Sequence, residues 1–307
     1  MRVLVTGGCG FIGSNIASSL LERGAKVFIL DNFYSADFKN IIDLNCEVIV
    51  ADVRDKDIFK KLPRLDAIIH QAAITDTTLK DEKLMMEVNY VGFKNVLEYC
   101  LKKKIKLIYA SSAGVYGKTQ NLPMQENQRL NPLNIYAYSK YLCDREVLKL
   151  AGKSPIPVVG LRYFNVYGKG EKHKKRASSM IYQIYLQMKE GRRPRLFKYG
   201  EQKRDFVYIK DVVEATIKAL SLKKVIILNV GRGEARSFNE IVNIFNQYLK
   251  RNLKPDYIDN PYSEVYQDYT CADLTLLKKT LKFNPRYSLE EGIKDYLQYL
   301  NSFQNRE

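Results

Sequence analysis

Tyr136 and Lys140 are the residues of this sequence best suited to acid–base chemistry. They stand four positions apart, so a helix would place both side chains on one face. A nearby ammonium group favours the phenolate, which predicts that the pKa of Tyr136 lies below its usual value of about 10. A phenol so tuned can take the proton of an alcohol. Ser112, which ends a predicted strand, would hold the same hydroxyl by a hydrogen bond.

The spacing of this pair is not specific by itself. Tyr-x-x-x-Lys also occurs at Tyr90/Lys94, Tyr99/Lys103, Tyr185/Lys189 and Tyr199/Lys203. Only Tyr136 begins a predicted helix just after a strand that ends in two serines. At the other four places a surface or packing role is the simpler interpretation, so the context of Tyr136 carries the inference.

Three glycines near the N-terminus, Gly7, Gly10 and Gly13, predict a binding site for a dinucleotide. A short apolar run precedes them and an amphipathic segment follows, which indicates a strand, a tight turn and a helix. Such a turn lets the backbone approach a pyrophosphate, and the free N–H groups of the helix point at it. Asp31 ends the next predicted strand, 18 residues after Gly13, where an acid can bind the adenosine ribose. The alternative interpretation of the three glycines is an ordinary βα turn. If a nicotinamide dinucleotide is bound, an alcohol at Tyr136 would lose a hydride to it together with a proton to Tyr136.

Strand and helix patterns alternate as far as residue 165. Strands are predicted at 26–30, 46–50, 66–70, 105–110 and 155–161, and a long helix at 85–104. The alternation predicts an α/β fold with a Rossmann-like doubly wound parallel sheet, whose ligands bind at the carboxyl ends of the strands. Residues 1–165 would form the dinucleotide-binding domain, to which segments near 205–230 return. Residues 166–307 would form most of a smaller, interleaved α/β substrate-binding domain.

The strand ends supply the remaining cofactor candidates. Asp52 would accept a hydrogen bond from the adenine amino group, although it could equally cap a helix at 56–61. Small residues after the fourth strand would let the backbone approach the cofactor. The predicted cofactor set is Gly7, Gly10, Phe11, Ile12, Gly13, Asp31, Asn32, Lys39, Asp52, Val53, Gln71, Ala72, Ala73, Asn89 and Lys140.

The composition narrows the class of protein. The 307 residues carry a formal net charge of +16, which suits a nucleic acid or an anionic small substrate. The two histidines offer no metal site, and the odd, dispersed set of five cysteines favours reduced thiols in the cytoplasm. No apolar run approaches the roughly 20 residues of a membrane span, and no signal peptide is expected, because the chain opens on a strand.

The glycine motif, Ser112, Tyr136 and Lys140 together resemble those of the extended short-chain dehydrogenase/reductases, of the NAD-dependent epimerase/dehydratase type. The resemblance covers essentially the whole chain. Within this family the sequence is similar to enzymes that invert C6 of an ADP-linked heptose. The segments that carry this similarity are 71–78, 85–86, 132–136, 162–168 with 173–174, 195–197, 203–208, 266–267 and 272–274.

The resemblance implies a redox-neutral reaction on an ADP-sugar of lipopolysaccharide inner-core synthesis. The C6 hydride would pass to bound NADP, giving a transient 6-keto sugar, and return to the other face. Two acid–base groups are then needed, which by the resemblance are Tyr136 and Lys174. The cations between Lys172 and Arg176 would lower the pKa of Lys174, because like charges disfavour protonation. Judged from the residues alone, Lys174 could instead contact a phosphate or lie in a solvated loop.

The resemblance also implies a substrate-binding set. Its members are Ser112, Asn165, Arg176, Gln183, Phe197, Lys198, Tyr199, Gly200, Arg204 and Tyr266. Arg204 suits the diphosphate, because a guanidinium fork can bind two oxygens. Two departures bear on this set: Lys175-Arg176-Ala177 replaces a small Gly-Ser pair of the family, and Gln183 replaces a frequent histidine.

Cofactor choice and assembly are predicted partly from the resemblance. Asp31 fits the free ribose diol of NAD and would repel the 2′-phosphate of NADP. Family members with this acid nonetheless use NADP through nearby basic residues, and Lys39 is placed to help, which favours NADP over NAD. The family also suggests a homo-oligomer, a pentamer among the heptose enzymes. Neither a nucleic acid nor a membrane is an expected partner.

Two alternatives remain open. The first is another nucleotide-sugar enzyme on this scaffold, such as a UDP-hexose 4-epimerase or a sugar 4,6-dehydratase. Ala113 and Gly114 stand where the dehydratases carry an Asp-Glu pair, which argues against them. The second is a non-enzymatic relative that senses a dinucleotide or binds nucleic acid through its charge. The intact Ser112, Tyr136 and Lys140 favour an enzyme.

Overall fold

The computed structural model of the protein describes residues 1–261 and 266–304. The first elements are β1 (Arg2–Thr6), α1 (Phe11–Glu22), β2 (Lys26–Asp31), β3 (Glu47–Val50), β4 (Ala67–His70), α2 (Glu82–Met86), α3 (Gly92–Lys103), β5 (Lys106–Ser112), α4 (Ile135–Leu148) and β6 (Val158–Tyr163). They are followed by β7 (Asn165–Tyr167), α5 (Met180–Lys189), β8 (Arg195–Phe197), β9 (Lys203–Tyr208), α6 (Ile209–Ala219), β10 (Ile226–Val230), β11 (Ala235–Ser237), α7 (Phe238–Leu249), β12 (Asp256–Ile258), α8 (Thr275–Leu281) and α9 (Leu289–Gln304).

Seven strands form one parallel sheet in the order β10-β6-β5-β4-β1-β2-β3. Thr6 pairs with His70 on one side and with Leu30 on the other, so β1, β2 and β4 end at the same edge. The strand order reverses between β1 and β4, which is where α/β proteins bind their ligands. The predicted Rossmann-like doubly wound sheet is confirmed.

Helices cover both faces of this sheet, and this explains why its strands are continuous apolar runs. Side chains alternate along β1, so that Val3 and Val5 pack with α1 and α6 while Leu4 packs with α3 and α4. None of these three side chains has exposed surface. Each contributes about 1.5–3 kcal/mol to stability by leaving water, which makes β1 the centre of the core.

The remaining strands form two small sheets, β11-β9-β7 and β12-β8. Of the segments near 205–230, β10 returns to the large sheet beside β6, with Ile226 opposite Val159. β9 does not return, because it pairs with β7 and β11. The domain boundary near residue 165 remains a prediction.

Two predicted helices differ from the observed ones. The helix at 85–104 is interrupted by a single π-helical turn, Glu87–Val91, between α2 and α3. The segment 56–61 forms only a short 3-10 turn, Ile58–Lys60. Periodicity of apolar residues cannot reveal a π turn, because one extra residue shifts the buried face without ending the helix.

Within the described residues, no helix is long and apolar enough to cross a bilayer.

Candidate active site

The glycine turn joins β1 to α1 in the wall of a cleft of about 490 Å³ at the carboxyl edge of the sheet. Gly7 has a φ of +66°, and a Cβ atom there would lie 2.6 Å from the Ala72 nitrogen. A Cβ atom on Gly13 would lie 2.2 Å from the Gly7 carbonyl oxygen. Only glycine therefore allows these backbones to meet. α1 begins in the cleft wall at Phe11 and Ile12 without a capping side chain, and its first N–H groups lack intrahelical partners.

Asp31 lines the cleft at the end of β2 and is nearly buried. One of its oxygens accepts a hydrogen bond from the Cys9 N–H at 3.0 Å, and the other accepts from the Phe33 N–H at 2.9 Å. These bonds fix the carboxylate beside the glycine turn. Each oxygen retains a lone pair that can accept a ribose hydroxyl.

Asn32, Asp52 and Arg54 form a hydrogen-bonded group on the same wall, beside Val53. Asp52 accepts from the Arg54 backbone N–H, from its guanidinium and from the Asn32 amide. The side-chain bonds from Arg54 hold the pKa of Asp52 below its usual value. Asp52 thus forms a turn over Arg54 and does not cap a helix. Arg54 was not predicted from the sequence. Its position two residues after the strand-end acid Asp52 could have indicated it.

Gln71, Ala72 and Ala73 lie along the cleft after β4, whereas Asn89 does not line it. The Asn89 side chain donates to the Ile74 carbonyl oxygen at 2.9 Å and accepts from the Ile74 N–H at 2.8 Å. It is buried behind the strand end, inside the π-helical turn. The predicted cofactor contact at Asn89 is therefore wrong for this cleft, and its side chain instead holds the cleft wall in place at Ile74.

Ser112 and Tyr136 line the cleft side by side. Asn134 caps α4 by accepting from the Ala137 N–H at 2.9 Å, so that Tyr136 lies in the first turn of the helix. The Ser112 hydroxyl accepts from the Gly114 N–H at 3.1 Å and is hydrogen-bonded to the Tyr136 phenol. The phenol is consequently held at the strand end where the sequence predicted it.

For the protein without a bound cofactor, the prediction that the pKa of Tyr136 is lowered is wrong. Burial raises the pKa of this phenol, and the hydrogen bond with Ser112 opposes burial only in part. Lys140 is itself 3% exposed and donates from Nζ to the Ala110 carbonyl oxygen at 3.0 Å. Burial lowers the pKa of Lys140 as well. Since both groups are desolvated, an additional positive charge in the cleft would favour a phenolate at Tyr136.

Lys174 lines the same cleft from a different element, the 3-10 turn Lys172–Ala177. Its Nζ lies 5.9 Å from the centre of the Phe11 ring. Burial lowers the pKa of Lys174, while Glu171 and Asp76 oppose this effect. The predicted direction of the pKa shift is observed, but burial causes it and the neighbouring cations do not.

Arg204 is a nearly buried cation in the cleft wall, with 6% of its surface exposed. Its guanidinium lies 4.7 Å from the centre of the Tyr266 ring and 5.9 Å from that of Phe238. Asp268 favours its charge from a distance, and no carboxylate of the described chain bonds to it. A buried guanidinium without a bonded counter-ion is suited to receive an anion. Asn165 lines the cleft as well.

The other predicted substrate residues lie outside this cleft. Gln183 and Phe197 line a second cleft, which shares Met180 with the first. The rings of Phe197 and Tyr266 meet with centroids 5.5 Å apart, so the two clefts are neighbours. Exposed side chains are found at Arg176, Lys198 and Tyr199 of this set and at Lys39 of the predicted cofactor set, whereas Gly200 is buried. The structure thus does not bring these five residues to the first cleft.

Asn40 is a further residue that the sequence analysis missed. Its amide donates to the Cys9 carbonyl oxygen at 3.1 Å, and its nitrogen lies 3.1 Å from His173 Nδ1. It therefore joins the glycine turn to the loop that carries Lys174. No pattern marks Asn40, because it stands in a polar connection whose partners come from distant parts of the chain.

The cleft fits a nicotinamide dinucleotide. The glycine turn and the uncapped start of α1 suit a pyrophosphate, and Asp31 suits a ribose diol. Ser112, Tyr136 and Lys140 lie farther along the cleft, at the end of β5, where they can meet an alcohol. Its volume is within the few hundred to about 1,000 Å³ of small-molecule sites.

Comparison with known proteins agrees with this assignment. The NAD dependent epimerase/dehydratase family matches residues 3–231. The structure of ADP-L-glycero-D-manno-heptose-6-epimerase from Helicobacter pylori is 42% identical, with a TM-score of 0.91, over 98% of this chain and 96% of that one. UDP-glucose 4-epimerase from Thermotoga maritima, with UDP-glucose, is 27% identical, with a TM-score of 0.93, over 99% and 100% of the chains. UDP-glucuronic acid 4-epimerase from Bacillus cereus, with UDP-glucuronic acid and NAD, is 28% identical, with a TM-score of 0.89, over 99% and 100%. On the evidence of its sheet, its cleft and these matches, this chain belongs to the NAD-dependent epimerase/dehydratase family.

Proposed function

We propose that this protein inverts C6 of the heptose in ADP-D-glycero-D-manno-heptose, through a transient 6-keto sugar. The coarser assignment, a nucleotide-sugar epimerase with a nicotinamide cofactor, follows from its family and from related structures. The heptose is supported by 42% identity to a heptose 6-epimerase, against 27% and 28% to two UDP-sugar 4-epimerases. By the same resemblance, the product would serve lipopolysaccharide inner-core synthesis.

The observation that carries this proposal is that Tyr136 and Lys174 line one cleft from different elements. In the proposed C6 inversion, each orientation of the sugar is served by its own acid–base group. Tyr136 acts from the first turn of α4. Lys174 acts from the turn after β7, and burial lowers its pKa toward the range useful for proton transfer.

The two groups exchange protons with the substrate in opposite senses. A bound nicotinamide would supply the acceptor and donor of the C6 hydride. One of the two residues takes the hydroxyl proton of the departing alcohol, and the other gives a proton to the ketone oxygen of the re-presented sugar. Ser112 holds the reacting oxygen by a hydrogen bond. The hydride returns to the carbon that it left, so no other redox partner is needed. The proton gained by one residue and the proton lost by the other are exchanged with solvent before the next turnover.

The remainder of the substrate would extend toward the second cleft. Arg204 is placed to bind the diphosphate, since its buried guanidinium bonds to no carboxylate of the described residues. Anchoring the diphosphate would let the sugar turn while the nucleotide stays in place. Gln183 and Phe197 would then contact the adenosine. Arg176 pairs with Asp76 at 3.2 Å, so a substrate contact at Arg176 would require this ion pair to open.

NMR of the sugar after incubation with ADP-D-glycero-D-manno-heptose tests the proposal. We expect inversion at C6, and an unchanged C6 would contradict the assignment. Lys174→Ala should slow C6 inversion by about 100-fold or more with the cofactor still bound. Lys175→Ala, at the exposed neighbouring position, is the matched control and should retain activity.

The alternative, a UDP-hexose 4-epimerase, is favoured by the TM-score of 0.93 to the Thermotoga maritima enzyme. Such an enzyme needs no second base. Full activity of Lys174→Ala on a UDP-hexose, without turnover of the ADP-heptose, would establish the alternative.

NADP is the cofactor that we propose, with NAD as the alternative. The family resemblance supports NADP, and Arg54 adds a cation to the cleft wall that carries Asp31. Lys39 would have to turn toward the cleft to take part. The Bacillus cereus relative holds NAD, which favours the alternative. We expect denaturation to release NADP, whereas release of NAD alone would overturn this choice.

A homo-oligomer in the cytoplasm is the proposed form of the enzyme. The family resemblance supports a pentamer, which light scattering would test and a monomeric mass would contradict. The five cysteines are free thiols, as in a reducing compartment.

A further inference from the structure

We propose that Glu171 is a positioning residue that fixes the loop carrying Lys174, and that Tyr296 of α9 ties the C-terminal helix to this loop. The inference rests on the proposed role of Lys174 as the second acid–base group. The loop, residues 168–179, connects β7 to α5 and passes the cleft at His173, Lys174 and Ala177.

The Glu171 carboxylate closes this loop at its base. It has no exposed surface. One oxygen accepts from the Gly168 N–H at 3.0 Å and from the Ser179 hydroxyl at 3.0 Å. The other accepts from the Ser179 N–H at 2.6 Å. A single carboxylate thus binds both ends of the loop, and removing it would leave buried donors unpaired.

Lys174 depends on Glu171 through the backbone as well. The Lys174 N–H donates to the Glu171 carbonyl oxygen at 3.0 Å. The loop has little regular structure of its own, since Gly168, Gly170 and Lys175 have φ values of +138°, +96° and +49°. Lys174 is held within a short 3-10 turn of this loop, and the anchor at Glu171 sets where that turn lies.

Tyr296 extends the anchor to the C-terminal helix. Burial raises the pKa of its phenol, and the negative charge of Glu171 adds to this effect. The ring is buried and lies 6.2 Å from the Tyr182 ring of α5. At Tyr296, α9 therefore lies beside the base of the active-site loop, although none of its described residues lines the cleft.

The charge of Glu171 also acts on Lys174. The charged and titratable groups that face Lys174 are Glu171 on its own loop, Asp76 on the loop after β4, and the neighbouring His173. The two carboxylates favour the ammonium form against burial. Glu171→Gln keeps the shape of the side chain and removes one of these charges, so it should lower the pKa of Lys174.

The test is an NMR titration of the holoenzyme labelled at lysine Cε, with the Lys174 signal assigned from Lys174→Arg. We expect Glu171→Gln to shift the Lys174 midpoint to lower pH and to reduce kcat for the ADP-heptose about 10- to 100-fold, with a smaller change in KM. Tyr296→Phe keeps the charge and should cause a smaller loss of kcat. Glu190→Gln removes an exposed carboxylate at the end of α5 and should change neither quantity.

An unchanged Lys174 midpoint together with wild-type kcat in Glu171→Gln would overturn the proposal. A lower melting temperature with no movement of the Lys174 signal would reduce Glu171 to a structural residue and overturn it as well. If Glu171→Gln does not fold, Tyr296→Phe decides, because wild-type kcat in this variant contradicts the link to α9. Absence of epimerase activity in the wild-type protein would refute the proposed function alone, since the titration still reports on Glu171 and Lys174.

Discussion

Replacing Tyr136 by phenylalanine should lower the rate of epimerisation by about 10²- to 10⁴-fold, with the cofactor still bound. The substitution would remove the proposed proton acceptor on α4 and leave a ring of nearly the same shape. Ser112 would still reach the substrate hydroxyl but could not take up its proton. The rate at saturating substrate, measured together with the amount of cofactor per protein, checks this expectation.

Tyr138 offers a matched control on the same helix. It lies two positions further along α4, 43% exposed, and its ring packs against Tyr141. Tyr138→Phe should therefore leave the rate unchanged. If Tyr136→Phe stayed within twofold of the wild type, the proton would have to travel by another route, and the assignment of Tyr136 would fall.

Removing the carboxylate of Asp144 should destabilise the fold more than any exposed change on α4. Asp144 has no exposed surface and accepts from Arg162 Nε at 2.8 Å and from the Tyr109 hydroxyl at 2.7 Å. Arg162 is buried too, and its Nη1 donates to the Tyr116 hydroxyl at 2.9 Å. Asp144→Ala leaves this guanidinium without its counter-charge. We expect the free energy of unfolding to fall by about 3–5 kcal/mol, as measured by denaturant titration.

Glu146 is the control for Asp144. It lies half-buried on the same helix, pairs at 3.0 Å with the exposed Lys149 and accepts from the Tyr90 hydroxyl at 3.0 Å. Glu146→Ala should cost about 1 kcal/mol or less, because exposed ion pairs contribute little. In the double variant Asp144→Ala/Arg162→Met the buried charge is gone, and part of the lost stability should return. If Asp144→Ala and Glu146→Ala lowered the free energy of unfolding equally, the buried ion pair would contribute no more to stability than the exposed one.

Features governed by local rules were predictable from the sequence. The start of helix α7, Phe238–Leu249, follows such rules, because Ser237 and Glu240 form a capping box before an amphipathic run. The glycine turn was found because a Cβ atom on Gly7 or Gly13 would collide with nearby backbone. Spacing along the chain encodes both features, and no distant partner is needed to recognise them.

Features that depend on burial were not predictable in this way. The pKa of Tyr136 was expected to fall beside Lys140, but the fold buries both groups and desolvation dominates. Glu171 stands among lysines and would be taken for a solvated residue, whereas helix α9 covers it from the far end of the sequence. The position of Asn89 behind the cleft wall was not predictable either, since it depends on a π-helical turn.

The return of β10 to the large sheet has a consequence for synthesis on the ribosome. β6 has no partner on its outer side until Ile226–Val230 has emerged and paired with it. Until then, the nascent chain presents the apolar run Val158–Tyr163 as an open strand edge, the kind of surface that pairs with other chains. The cofactor-binding half therefore cannot complete its folding co-translationally as an early unit. Chaperones that shield strand edges would be needed most in the interval between the synthesis of β6 and that of β10.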